Sequence, residues 1–333
     1  MRPEGNGSMM TRSILGRRAF LASTAAFFAM PARAQTAWPS RPLRLVIPFP
    51  PGGTTDIIGR TLQAPLADRL GQPVVVENRA GGAGTAGVEA MVRAADGHTV
   101  ALVISSLASN VALQPGLPFD VERDIAPIGL IGFVPNAIAV HPSVPARTLG
   151  ELVALARARP GALNYGTSGI GTANHFAGEL FRLEAGIDIV HTPYRGGGPA
   201  INDLVGGQIP VGVNALSSIL PQIRAGRVRA LATTGKARSA ALPDVPTVAE
   251  SGFPGFDVVE WWGLVAPAAM PAANVSRFAE ALNAALARPD IAAKLAEQGL
   301  DLASSDPVAF KAFVRAEIAK LAGIVRRAAI KAE

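Results

Sequence analysis

Between Leu43 and Ile104, short apolar runs alternate with longer stretches of helical period, and that alternation constrains the fold most tightly. Leu43-Arg44-Leu45-Val46-Ile47 reads as a strand. Gly52-Gly53 turns the chain, and Thr54 or Thr55 is placed to cap a helix carrying Ile58, Leu62, Leu66 and Leu70 at four-residue spacing. Pro65 falls inside that helix and should bend it, and Gly71 should end it. Val74-Val75-Val76 is a second strand, a glycine turn leads into a helix around Gly87–Ala94, and Thr99 to Ile104 is a third strand. The order βαβαβ implies a doubly wound α/β sheet with parallel strands.

A second series starts after Ala162. Leu163-Asn164-Tyr165, a Gly/Ser/Thr turn and a helix with Phe176, Leu180 and Leu183 come first. Strands at Ile187–His191, Ile209–Val213 and Val228–Ala232 follow, with a helix over Ala200–Val205 between the first two. Two look-alike segments join the series. Ala137 to Pro142 and Trp262 to Pro267 are each an apolar strand followed by a proline-paced bend and a helix that ends at Arg-Pro. They read as two crossover strands between two lobes: residues 38–137 plus 262–333 form lobe 1, and 138–261 form lobe 2. The C-terminal helices then pack back on the first lobe. The last of them starts at Asp306 as cap with Pro307 in its first turn, and Phe310, Phe313, Ile318, Leu321 and Ile324 give it a core-facing stripe.

Residues 1–34 read as an export signal. Arg17-Arg18 leads into an apolar run from Ala19 to Met30, Pro31 breaks it, and Ala32-Arg33-Ala34 offers a small-x-small cleavage pattern after about Ala34. Arg-Arg-x-Phe-Leu is twin-arginine-like, which points to a bacterial periplasm. The same leader distorts the formal charge of +6: Arg2, Arg12, Arg17, Arg18 and Arg33 stand there against one acid, Glu4, and the remainder carries only +2. With no Lys/Arg cluster interleaved with aromatics, nucleic acid is not expected as a partner. The absence of cysteine excludes disulfides, thiolate metal sites and cysteine nucleophiles.

Gly82, Gly84 and Gly87 form a G-x-G-x-x-G, the signature of a dinucleotide-binding turn. Its companion acid is missing: about 20 residues on, the chain reads Leu102 to Leu107, with neither an acid nor an arginine. The motif also follows the second strand rather than the first. A geometric role for these glycines is expected, letting a helix pack close to the sheet. The 4 histidines show no i, i+4 pair for zinc, and Gly166-Thr167-Ser168-Gly169 lacks the spacing of a nucleophile elbow. No catalysis, cofactor or metal is expected.

What remains is a set of strand-end loops rich in glycine and hydroxyls. They are Pro48–Asp56, Ser105–Asn110, Gly166–His175 and Thr192–Gly198. In an open α/β sheet such ends line the ligand crevice. The first and third run into helix N-termini, where free amides and the dipole favour an anion. Asp56 either favours the helix start or faces the crevice toward an amine or hydroxyl donor. Arg195 is the one full positive charge in these loops, and it is either a ligand contact or a solvated side chain. Tyr194 either packs on a ligand or fills the hinge, and Asn214 ends its strand in an equivalent place.

These loops resemble those of the substrate-binding proteins of tripartite tricarboxylate transporters, the Bug-type family. The matching stretches are W-P-S-R-P-L-R-L-V-I-P-F-P-P-G-G-T-T-D, V-V-V-E-N-R-A-G-G-A-G-T-A-G, L-N-Y-G-T-S-G-I-G-T-A-N-H, H-T-P-Y-R-G-G-G-P-A and L-P-D-V-P-T-V-A-E-S-G, in family order from Trp38 onward. The resemblance implies a two-lobed periplasmic-binding-protein clamshell (type II-like), with each lobe a doubly wound, mainly parallel sheet. It implies capture of a small organic acid in the periplasm for membrane transporter subunits, and a monomer is expected. It implies that the loops Pro50–Asp56 and Gly166–Thr172 hold the ligand carboxylate, through Thr54, Thr55, Thr167, Ser168 and Thr172, with Ser105, Ser106 and Arg195 beside them. Pro50, Gly53, Asp56, Gly171, Tyr194 and Asn214 complete the candidate ligand-binding set read from the same loops and strand ends. Pro210 stands where the family leads one to expect an acid, and Gly212 where it has a bulkier residue. The rival readings are an exported dinucleotide-dependent oxidoreductase and a ligand-sensing adaptor for a membrane receptor.

Overall fold

The computed structural model describes residues 38–331, so the expected export signal lies outside the described residues. Strand β1 (Leu43–Ile47) pairs in parallel with β2 (Val74–Asn78) and β3 (Thr99–Ile104). Helices α1 (Thr54–Leu70) and α2 (Thr85–Ala94) connect them, giving the expected βαβαβ unit. Ile58, Leu62 and Leu66 of α1 are fully buried, and the helix ends on a left-handed Gly71 whose amide donates to Ala67 O. After the short helices α3 (Ser106–Leu113) and α4 (Val121–Asp124), β4 (Ile125–Val140) runs for 16 residues.

Beyond helix α5 (Leu149–Ala158), a second parallel set forms from β5 (Leu163–Thr167), β6 (Ile189–Pro193) and β7 (Val211–Ala215). Helices α6 (Ala173–Ala185), α7 (Gly197–Val205) and α8 (Leu216–Arg224) lie between and after them. Strand β8 (Arg229–Thr233) joins β4, and β9 (Val259–Pro267) returns the chain to the first set between β3 and β4. Helices α9 (Ala272–Leu286) and α10 (Pro289–Glu297), strand β10 (Asp301–Leu302) and helix α11 (Pro307–Ala328) complete it. The strand order is β2-β1-β3-β9-β4-β7-β5-β6, with β8 and β10 also on β4.

The pairing directions place the functional edges. Strand β3 is antiparallel to β9, β9 to β4, and β4 to β7. Hence β1 and β3 run toward the middle of β4 from one end while β5, β6 and β7 run toward it from the other. The carboxyl ends of the two parallel sets face each other across β4. Strand β4 changes partners there: β9 through Pro135, then β7 and β8 from about Asn136 onward.

Strand β4 starts 12 residues before the expected Ala137. Pro127, Gly129, Gly132 and Pro135 interrupt its apolar pattern, and the ladder with β9 absorbs them as register shifts at Pro127/Gly129 and Leu130/Gly132. The segment Ser105–Asn110, expected as a loop, is mostly helix α3, since Ser105 already has helical angles and neither Gly nor Pro follows to break the turn. Helix α11 is capped as expected, with Asp306 Oδ1 accepting from Ala309 N at 2.7 Å. It packs Phe310 and Phe313 edge-on against Trp261 of β9 at 5.8 and 5.5 Å between centroids. It also reaches the second parallel set, where its Arg327 pairs with Glu184 of α6 at 2.9 Å.

The glycine turn is a packing device. A Cβ on Gly87 would lie 2.5 Å from Pro48 Cβ and 2.7 Å from Pro48 Cα, so only glycine lets α2 approach the end of β1. Asn110 Nδ2 and Ser106 Oγ both donate to Ala83 O, at 3.2 and 2.8 Å. The cavity left under the turn is about 10 Å³, room for a water molecule and not for a pyrophosphate.

Candidate functional site

In the first loop, Asp56 folds back into the protein. Its Oδ2 accepts from Gly52 N and Arg60 Nε, each at 2.9 Å, and its Oδ1 accepts from Asn78 Nδ2 at 2.8 Å. The Arg60 hydrogen bond, helped by those from Gly52 and Asn78, outweighs burial and holds the carboxyl down at about 2. Of the two roles open to Asp56, the structure shows the local one: its charge locks the turn. Helix α1 therefore begins at Gly53 with no side-chain cap. Pro50 and Gly53 are exposed and Thr54 is half-buried. Thr55 is buried and its Oγ1 accepts from Trp262 Nε1 at 3.2 Å.

The loop after β5 is built differently. Thr172 Oγ1 donates to Gly169 O at 2.6 Å and accepts from His175 N, so α6 is capped by its own chain. Asn174 bonds both the amide and the hydroxyl of Ser168. Thr167 is fully buried, with Oγ1 2.7 Å from His191 Nε2. The two helix N-termini differ: at α6 a Thr at the capping position supplies an acceptor for one amide, His175 N, where Gly53 supplies none. Gly196 N donates to Ser168 O and Tyr194 N to Thr167 O, which stitches the third loop to the fourth. Ser168, Gly171 and Thr172 stay partly open to solvent.

Two histidines that the sequence left without a role brace this loop. His175 and His191 stack at 4.1 Å, and Gly171 N donates to His175 Nδ1 at 3.2 Å. Burial, followed by the neighbouring His175, pushes His191 down to about 4. Beneath them Tyr165 donates to Glu179, which also pairs with Arg182 at 2.8 Å. Tyr194 donates its hydroxyl to Asp203 at 2.7 Å, and burial with that acid raises the phenol to about 12. Its polar end is therefore directed into α7. Arg195 is exposed. Asn214 is buried to 1 % exposure and, among the described residues, neither its Nδ2 nor its Oδ1 has a partner. A Cβ on Gly212 would lie 2.8 Å from Asn214 Nδ2, so the missing side chain at 212 makes room for that amide.

The two edges meet at the crossover. Ser105 and Ser109 from one side and Gly171, Ala173 and Phe176 from the other line a cavity of about 10 Å³, closed by Val258, Val259 and Glu317. Ser106 is spent on the glycine turn, whereas Ser105 Oγ donates at 2.5 Å to Glu260, a residue the sequence reading passed over. Burial pushes the Glu260 carboxyl up to about 7, against the pull of the Ser105 bonds. A lone acid inside the apolar strand V-E-W-W-G-L-V-A-P was the available signal. Among the described residues no cluster of His, Cys, Asp and Glu has a metal-binding arrangement, and no helix is long and apolar enough to cross a membrane.

The model of the tripartite tricarboxylate transporter family receptor matches residues 58–330. The chain belongs to that receptor family. Protein BugT of Bordetella pertussis is 37 % identical over 97 % of this chain and 99 % of its own length. The structure of R. palustris Rpa4515 with adipate is similar at a TM-score of 0.76 and 32 % identity, covering 88 % of this chain and 99 % of that one. MatC (Rpa3494) from Rhodopseudomonas palustris with bound malate is similar at a TM-score of 0.70 and 30 % identity, covering 86 % and 100 %. As a receptor of this family, the chain has the α/β, two-lobed binding-protein fold read from its sequence. The match starts inside α1, so the Pro48–Asp56 turn lies just ahead of it.

Proposed function

We propose that this receptor captures a small organic carboxylate in the periplasm and hands it to the membrane subunits of a tripartite tricarboxylate-type transporter, with no chemistry of its own. The observation that carries the reading is the start of α1, where Gly53 provides no side-chain cap and Asp56 is turned away. Amides left without acceptors at the positive end of a 17-residue helix favour a carboxylate. Adipate and malate, bound to two similar proteins, point to the same ligand chemistry.

In this reading the ligand meets Pro50, Gly53, Thr54 and Thr55 on one side and Ser168, Gly171 and Thr172 on the other, with Arg195 and Asn214 at the margin. Thr167, Ser105 and Tyr194 act through the partners described above. Lobe 1 comprises residues 38–137 and 262–333 and lobe 2 residues 138–261, a division supported by the change of partners along β4 near Asn136. Residues 1–34 direct export and are removed, and the mature receptor works as a monomer. A thermal-shift screen tests this. Small carboxylates should raise the melting temperature while NAD and NADP leave it unchanged. A flat response to a broad panel of organic acids would sink the reading.

A further inference from the structure

We propose that Glu260 sets the ligand class of this cleft, accepting a hydrogen bond from an amine, hydroxyl or amide at the far end of a monocarboxylate and disfavouring a second carboxylate. The inference rests on the carboxylate-receptor reading and narrows it.

Strand β9 lies in the middle of the sheet, paired with β3 on one side and β4 on the other. Of its 9 residues all are buried except Glu260, which keeps part of its surface open to solvent. A strand with neighbours on both sides has no free edge, so an opening at one position marks the floor of a crevice. The face is fixed by Trp262, two residues on, whose indole donates to Thr55 in the first turn of α1. Ile104, directly opposite Trp262 in register, is also partly open. Trp261 points the other way, into Phe310 and Phe313. Glu260 therefore lies on the face beneath the start of α1. Two strand residues span about 7 Å, the reach of a small molecule held by its carboxylate at the helix N-terminus.

The chemistry of the pair Ser105–Glu260 favours a ligand contact. The buried Ser105 hydroxyl donates to Oε1 and fixes the carboxyl, and no ion pair to Glu260 occurs among the described residues. A purely structural acid this deep calls for a cation beside it. Within the described protein its donors are the Ser105 hydroxyl and backbone amide, and a donor-bearing ligand end at the open part of its surface would add to them. A second ligand carboxylate would instead meet a like charge, worth about tenfold or more in affinity at such distances.

The test is calorimetric titration at pH 8 of the mature receptor and its Glu260→Gln variant. The probes are unbranched monocarboxylates from acetate to octanoate with their ω-amino, ω-hydroxy and ω-carboxy counterparts. The native receptor should bind the ω-amino or ω-hydroxy member of the best-fitting length about tenfold or more tightly than the ω-carboxy member. Glu260→Gln, which keeps the shape and an acceptor for Ser105, should erase or reverse that ratio. Equal affinities in the native receptor, or an unchanged ratio in the variant, overturn the role of Glu260 and leave the carboxylate reading standing. No binding of any probe to either protein overturns both.

Discussion

Asn78 Nδ2 donates to Asp56 Oδ1 at 2.8 Å and to Phe49 O at 3.1 Å, tying the end of β2 to the turn that starts α1. Asp56 is buried and accepts from three donors, so its removal takes the acceptor from Gly52 N and leaves Asn78 Nδ2 with Phe49 O alone. Asp56→Ala should lower stability by about 2 kcal/mol, read from urea midpoints at constant slope. Arg60→Ala removes one donor that is itself half-exposed, and should cost less than Asp56→Ala. The folded carboxyl titrates near 2, below its unfolded value of 3.8. Its contribution is therefore complete above the unfolded value and disappears as pH falls toward 2. An Asp56→Ala protein as stable as the native one at pH 7 would contradict this account of the turn.

The contact between Gly87 and Pro48 makes a sharper test of the glycine motif. Adding one methyl group at 87 forces α2 away from the backbone of Pro48 and from Arg79 O, which a Cβ would approach to 2.9 Å. Gly87→Ala should cost about 1–3 kcal/mol, the range for overpacking a close contact. The loss should be the same with or without NAD in the melting buffer. A nucleotide-dependent difference would restore the dinucleotide reading of this turn.

Two groups, His191 of β6 and Glu260 of β9, bend the pH profile in opposite directions. His191 is held neutral, its folded value near 4 lying below the unfolded 6.5, so the unfolded chain binds more protons between them. Stability from this source is complete above 6.5 and falls as pH drops toward 4, by about 1–2 kcal/mol once solvent screening is allowed for. Glu260 is raised from 4.5 to about 7, so its contribution is complete below 4.5 and is lost as pH rises through 7. Around His191 stand His175 and Glu179, and beside Glu260 the group shifting it besides burial, among the described residues, is Ser105. Melting curves between pH 4 and 8 should show a shallow profile for the native receptor. Glu260→Gln should steepen its acid limb and raise stability at pH 8, while His191→Gln should flatten that limb. Identical profiles for all three proteins would remove both groups from the balance.

The sequence disclosed elements whose signals are local. Strands β1 and β3 are bounded by residues that match their apolar runs, and Asp306-Pro307 opens α11 as capping chemistry requires. It hid the first half of β4, because a strand in which prolines and glycines are absorbed by bulges carries no alternation to read. The site divides in the same way. The loops and their hydroxyls were legible, but which hydroxyls the protein spends on itself was not. Thr167 is claimed by His191, 24 positions away, and Ser105 by Glu260, 155 away. Such partners are set by strand order, and single-chain periodicity does not encode strand order.

Asn214 is a buried amide that no partner among the described residues claims. Its amide lies at the carboxyl end of β7 with neither Nδ2 nor Oδ1 bonded within the described protein, at 1 % exposure. A buried amide left unpaired costs about 1–3 kcal/mol. Removing it without opening a cavity therefore relieves the empty receptor, and Leu is close to Asn in size and shape. Asn214→Leu should leave the unliganded melting temperature unchanged or higher, since the lost amide had no protein partner to abandon. The same change should shrink the melting shift produced by a saturating carboxylate, because a ligand polar group arriving at that end of β7 would find no counterpart. Differential scanning calorimetry with and without the carboxylate separates the two effects. If Asn214→Leu destabilises the empty receptor by more than about 1 kcal/mol, a bound water satisfies the amide and the residue belongs to the scaffold. If the ligand shift survives intact, the ligand does not reach β7.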